Sequence, residues 1–168
     1  MKDELTYRTI FFVGTLLLIA TLEVIFPRRK LDVSKTVRWY SNLGIIFINT
    51  LALRFVFPVL AVGMAVLSEE KGWGLFNNIT IPYELAVLLS VVLMDMVIYF
   101  QHLMFHAVPR LWLLHRMHHT DLDYDVTTAL RFHPIEIMLS MVIKLSIVVV
   151  LGPPVVAVLI FEIILNSM

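Results

Sequence analysis

The sequence predicts an all-α integral membrane bundle, with three spanning helices, a C-terminal helical pair and a histidine cluster at the cytoplasmic membrane surface. Three observations predict it. The chain is apolar: 60% of its 168 residues are hydrophobic, only 15% are charged, and the mean hydropathy is +0.88. A soluble domain carries charge on about a quarter of its residues. Its apolar residues fall in long runs, and all six histidines lie between positions 102 and 133.

The runs set the elements. Residues 10–26 (IFFVGTLLLIATLEVIF), 43–67 and 82–105 each approach the length needed to cross a bilayer, which takes about 20 helical residues. No small-residue cleavage site follows the first run and its flank is strongly basic, so it reads as a retained helix and not a signal peptide. Pro134 suits the first turn of a further helix, predicted over 135–150, and Gly152, Pro153 and Pro154 break it before a last helix at 155–168. Both C-terminal segments are short for full spans, and read as a re-entrant hairpin or a tilted pair. One domain, 1–168, accounts for the whole chain.

Orientation follows from Lys and Arg in short loops. The loop after the first run carries Arg28, Arg29, Lys30, Lys35 and Arg38 against Asp32, whereas SEEKGWGLFNNITI at 68–81 sets Glu69 and Glu70 against Lys71. The first loop is therefore expected in the cytoplasm and the second opposite, and the third run returns His102 and His106 to the cytoplasmic side. Zero net charge gives no reason to expect nucleic-acid binding, and the lack of cysteine excludes disulfides, thiolate metal sites and thiol catalysis.

The histidines carry the chemistry. His102 and His106 stand four apart, which on a helix puts both rings on one face, and His115, His118 and His119 repeat the relationship at i, i+3 and i+4. A lone interfacial histidine is usually an amphipathic side chain at headgroup level, but HxxxH followed by HxxHH supplies five imidazoles, and His133 a sixth. Imidazole suits iron, zinc and copper. Six nitrogens exceed what one tetrahedral zinc uses, and suit two ions or one octahedral ion with spares. Asp95, Tyr99, His102 and His106 form one helical stripe.

An acid inside a spanning helix calls for a partner, and Arg54 at matched depth is the candidate, as a structural ion pair. The functional alternative has Asp95 orienting a metal-bound histidine, although a rise of roughly 10 Å separates it from His102. Asp121, Asp123 and Asp125 read first as a solvated acidic loop, and otherwise as ligands or as acceptors buttressing them. Trp112 and Tyr124 read as interfacial anchors, and the methionines as packing. A thiolate-free, histidine-rich centre at a membrane surface suits non-haem iron, dioxygen and a lipid whose chain enters from the bilayer.

The ordered patterns D-x3-Y-x2-H-x3-H at 95–106, LWLLHRMHH at 111–119 and DVTTALRFHP at 125–134 resemble the fatty acid hydroxylase / sterol desaturase superfamily. Glu23 with FPRRK, and RWYSNLG at 38–44, are similar to the first two helices of its bacterial members, so the likeness runs from about residue 20 onward. The resemblance implies a membrane oxidoreductase, most simply of a bacterial inner membrane. Such an enzyme hydroxylates or desaturates a fatty acid, sterol or related lipid in lipid biosynthesis, with dioxygen and an external electron donor. It implies non-haem di-iron, with zinc a substitute in purified protein, and His102, His106, His115, His118, His119 and His133 at metal-binding positions. Asp95, Tyr99, Arg54 and Asp125 would then support the ligands or the fold.

One departure is plain: the family's further histidine region is absent before Met168, so the chain reads as C-terminally incomplete or as a shortened member. The competing expectation is a catalytically incomplete relative or fragment that binds metal and acts through a partner. A bis-histidine haem carrier leaves HxxHH unexplained, and no HExxH supports a zinc protease.

Overall fold

The computed structural model describes residues 2–27 and 30–167; Arg28 and Arg29 of the basic loop lie outside the described residues. Seven α-helices are described: α1 (Lys2–Ile25), α2 (Lys35–Val56), α3 (Ala61–Lys71), α4 (Tyr83–Ala107), α5 (Pro109–His115), α6 (Pro134–Leu151) and α7 (Val155–Leu165). Two short 3-10 turns, His118–Thr120 and Thr128–Leu130, punctuate the segment between α5 and α6. The described residues contain no strand.

The stretches long and apolar enough to cross a membrane are three: Lys35–Lys71, which holds α2 and α3, then α4 and α6. The count agrees with the sequence, but the membership differs. In α1 the apolar part is the shorter Thr9–Ile25, and α6 joins the set although its sequence looked short for a span. Its 18 residues rise about 27 Å, close to the hydrocarbon thickness.

The run expected as one helix over 43–67 is two. Phe57, before Pro58, is extended at φ −116°, ψ 97° and ends α2, because proline disfavours helical backbone in the residue it follows. Gly72 then stops α3 in the left-handed region, at φ 66°.

The core gathers Ala61, Val62 and Ala65 of α3, Met94 of α4, Val148 and Leu151 of α6, and Val158 and Phe161 of α7. Small alanines let helices approach closely where no hydrophobic force separates protein from lipid. Lys144 of α6 donates to Glu162 of α7 at 2.9 Å, which pairs two charges that would be costly alone in an apolar span.

Helix neighbours decide one expected contact. α2 packs against α6, whereas α4 packs against α5, α6 and α7. Arg54 on α2 and Asp95 on α4 are both exposed, and among the described residues no ion pair joins them. Matched depth was not sufficient; the helices are not arranged as neighbours.

The two ends of the bundle differ. At one end the 72–82 loop caps α6, as Leu75 and Phe76 N–H donate to the carbonyls of Val150 and Leu151 at 3.0 and 2.8 Å. Gly74 and Gly152, both at positive φ, approach so closely that a Cβ on either would strike the other strand of backbone. At the opposite end Asp123 Oδ2 accepts the N–H groups of Asp32 and Val33 at 2.9 and 2.7 Å, tying the loop before α2 to the segment that carries the histidines.

Candidate metal centre

A proline corner builds the site. Val108, at φ −95° and ψ 117°, leaves the helix because Pro109 follows it, and Pro109 then opens α5 at a position where it has no N–H to lose. The chain turns at the end of α4, and HxxHH folds back over HxxxH. His102, His106 and His115 meet pairwise with ring centroids 4.7 Å apart. One ligand nitrogen from each lies within 4.8 Å of the others. His119 joins at 5.0 Å from both His106 and His115.

The facing nitrogens have metal-ligand separations. His102 and His106 Nε2 stand 3.1 Å apart, and His115 and His119 Nε2 3.2 Å apart. Two nitrogens about 2.1 Å from one ion, at tetrahedral to octahedral angles, stand about 3.0–3.4 Å apart. The donor set therefore fits a divalent transition ion without thiolate or a hard all-oxygen shell. Burial first, then the neighbouring rings of His106 and His119, pulls His115 down to about 4. Burial, followed by His119 and His115, does the same for His118, to about 4. His119 is lowered by burial and then by His106. Neutral imidazole is the form that binds a metal.

Two of the six histidines engage other partners. His118 lies beside His115 and His119, with ring centroids 5.7 and 5.1 Å away, past the end of α5 at His115. It stacks on Phe132 at 4.6 Å, and its Nε2 lies 3.0 Å from the Tyr124 hydroxyl. His133 is the N-cap of α6: its Nδ1 accepts the Ile135 N–H at 3.2 Å, and among the described residues it has no ring contact with the other five. Asp95 and Tyr99 are exposed on α4 like His102 and His106, and among the described residues no hydrogen bond joins either to a histidine.

The aspartates are not a solvated loop. Arg38 of α2 holds Asp121 through Nε at 2.7 Å and Nη2 at 3.1 Å, with both side chains buried. Asp121 also accepts from Asn42 and Thr128 at 3.2 and 2.7 Å. Asp125 accepts from Trp39 Nε1 at 3.0 Å and from Thr127 N and Oγ1 at 2.9 and 2.6 Å. Buried carboxylates need such partners. RWYSN at 38–42 is thus a clamp on the polar segment that follows HxxHH. Tyr124, expected as a membrane anchor, puts its hydroxyl 3.0 Å from His118 Nε2.

Sequence reasoning missed Glu136. It is 3% exposed, and its Oε1 lies 2.6 Å from His115 Nδ1. Its place three residues after His133 carried no metal-ligand spacing, so only an acid at the head of an apolar helix marked it.

These features define an all-helical membrane protein with a histidine-lined site at the corner of two helices, shaped for a metal ion. Residues 87–168 match the fatty acid hydroxylase family, a domain of the sterol desaturase/fatty acid hydroxylase superfamily. The match contains every histidine and begins inside α4. It points to an oxidoreductase of the lipid hydroxylase or desaturase kind. No curated protein and no solved structure matches the chain.

Proposed function

We propose that this chain forms the metal-binding part of a non-haem di-iron oxygenase that hydroxylates or desaturates a membrane lipid with dioxygen. The observation that carries it is the gathering of His102, His106 and His115 nitrogens within 4.8 Å of one another, with His119 Nε2 3.2 Å from His115 Nε2, within a family that oxidises lipids. Iron held there supplies the activation of dioxygen and the electron transfers that C–H oxidation requires. The protein's own part is positioning and exclusion of water. α4 and α5 hold the imidazoles in place. Trp112 packs beside His106 and His119 at 5.3 and 5.5 Å and walls one side. His102 and His106 remain exposed on α4, where an acyl chain can approach from the bilayer. The end bearing the histidines also bears Lys30 in the loop before α2 and Lys35 at the start of α2, which supports a cytoplasmic site fed by an external electron donor.

A second reading has its own support. Four Nε2 atoms face one another in two pairs, while His118 engages Tyr124 and His133 caps a helix. Four nitrogens suit one ion, so this polypeptide by itself would hold a single metal and leave oxidation to an assembly with a partner. Metal analysis after loading with ferrous iron, together with product analysis on membrane lipids plus dioxygen and a reductant, separates the readings. Two irons and an oxidised lipid support the di-iron oxygenase; one ion and no product support the second. Full retention of metal in the double variant His102→Ala/His115→Ala would sink both.

A further inference from the structure

Glu136 reaches the centre from a different helix than any histidine. It occupies the first turn of α6, whose start is fixed by the His133 cap and by Pro134 at the first helical position. From there its carboxylate meets the inner ring of the cluster: His115 is 0% exposed, and Nδ1 lies 2.6 Å from Glu136 Oε1. That length is typical of a hydrogen bond to a charged group. The walls are rings that offer no competing acceptor, Phe105 at 5.8 Å and Phe132 at 6.3 Å from His115.

A neutral imidazole carries one proton on one of two nitrogens, and a hydrogen bond at one nitrogen decides which. A carboxylate accepts and cannot donate. Facing the ionised carboxylate of Glu136, His115 Nδ1 carries the proton and Nε2 keeps its lone pair. Nε2 is the atom 3.2 Å from His119 Nε2, on the side where the nitrogens converge. The tautomer set by Glu136 is the one a metal requires.

We propose that Glu136 is the positioning residue of His115: it fixes the Nδ1–H tautomer and holds the ring so that Nε2 points into the metal centre. Because the carboxylate is carried by α6, the same bond ties the centre to a helix that supplies none of the gathered nitrogens. The claim about metal rests on the function proposed above; the claim about the tautomer does not. Carboxylates behind metal-bound histidines act in this way, and their loss lowers metal affinity by about 10- to 100-fold.

Two measurements test it on the whole chain in detergent. Long-range proton–nitrogen correlation of the histidine-labelled, metal-free protein, recorded at alkaline pH with the Glu136 carboxylate ionised, reads the tautomer, with His115 assigned from the signals lost in His115→Gln. The expected result is a pyrrole-type Nδ1 and a pyridine-type Nε2, with that preference lost in Glu136→Ala. The opposite tautomer in the unsubstituted chain overturns the proposal without any variant having to fold. Cobalt(II) titration against a chelator reads affinity. Glu136→Ala is expected to lose about 10- to 100-fold with helical circular dichroism unchanged, and Glu136→Asp to recover part of that loss. Unchanged affinity in folded Glu136→Ala overturns the positioning role. If the tautomer is as expected but the unsubstituted chain takes up no cobalt, the metal function fails while the Glu136–His115 relationship stands.

Discussion

Arg38 and Asp121 join the start of α2 to the segment just past HxxHH through two hydrogen bonds, at 2.7 and 3.1 Å, with side chains 4% and 2% exposed. A second carboxylate, Asp125 Oδ2, stands 3.1 Å from the same Nη2. One guanidinium thus holds both ends of the 121–125 stretch, and so fixes where the chain goes after His119. Removing one partner of a buried pair strands the other and costs about 3–5 kcal/mol. Arg38→Met and Asp121→Leu should each destabilise by that order, and the double variant by less than their sum. Unfolding of the four proteins in detergent measures it; simple additivity would show that the pair is not coupled.

Asp121 also predicts an acid dependence. Burial pushes its carboxyl upward, but hydrogen bonds from Thr128, Arg38 and Asn42 and the charge of Arg38 outweigh that and hold it below the usual carboxylate range. A group depressed in the folded state stabilises fully above its unfolded value, about 3.9, and that stability is lost as pH falls through the folded value. The melting-temperature gap between the native chain and Asp121→Asn should be constant from pH 7 to 5 and shrink below about pH 4. A gap that widens toward acid would contradict the assignment.

Arg54 and Asp95 make the opposite case. Both are exposed, on helices α2 and α4 that do not pack closely against each other. Sites without shared partners add within about 0.3–0.5 kcal/mol. A double-mutant cycle with Arg54→Leu and Asp95→Leu should therefore return no coupling beyond that error. Coupling above about 1 kcal/mol would mean that the two side chains meet.

These pairs show what was legible in the chain. Apolar runs mark helices because lipid forbids unsatisfied backbone, and HxxxH with HxxHH marks a centre because ligand spacing is local. The corner that folds one motif onto the other is made by Pro109, which the apolar runs and the histidine spacing did not bring out. Partners between helices were harder. Depth placed Arg54 opposite Asp95, but the lateral order of the helices decides contacts, and no local pattern encodes it. Arg38 finds Asp121 across 83 positions and Glu136 finds His115 across 21. A string DLDYD looks solvated until its donors, RW and N at 38–42, are known.

Sidedness can be read chemically, since the chain contains no cysteine. Ser34 precedes α2 at the histidine end, and Thr80 lies in the loop before α4 at the other; both are exposed. Thr80 is preferable to Asn78, whose amide holds Gly72 and Gly74 carbonyls. Single-cysteine variants at Ser34 and Thr80 should react with an impermeant maleimide from opposite faces of the membrane, Ser34 from the cytoplasmic one. Labelling of both from one face would overturn the topology.

His133 separates a ligand from a helix cap. Its Nδ1 accepts the Ile135 N–H at 3.2 Å, a role that asparagine fills equally well at this position. His133→Asn should keep both stability and metal affinity. His133→Ala should lose about 1 kcal/mol of stability from the uncapped α6 while its cobalt affinity stays within a few-fold of the unsubstituted chain. His115→Ala should do the reverse in kind, abolishing tight binding, since His115 Nε2 is one of the gathered nitrogens. The pair of titrations, run beside thermal unfolding, discriminates the roles. A loss of metal in His133→Asn as large as that in His115→Ala would make His133 a ligand and require the head of α6 to move toward α4 when the ion binds.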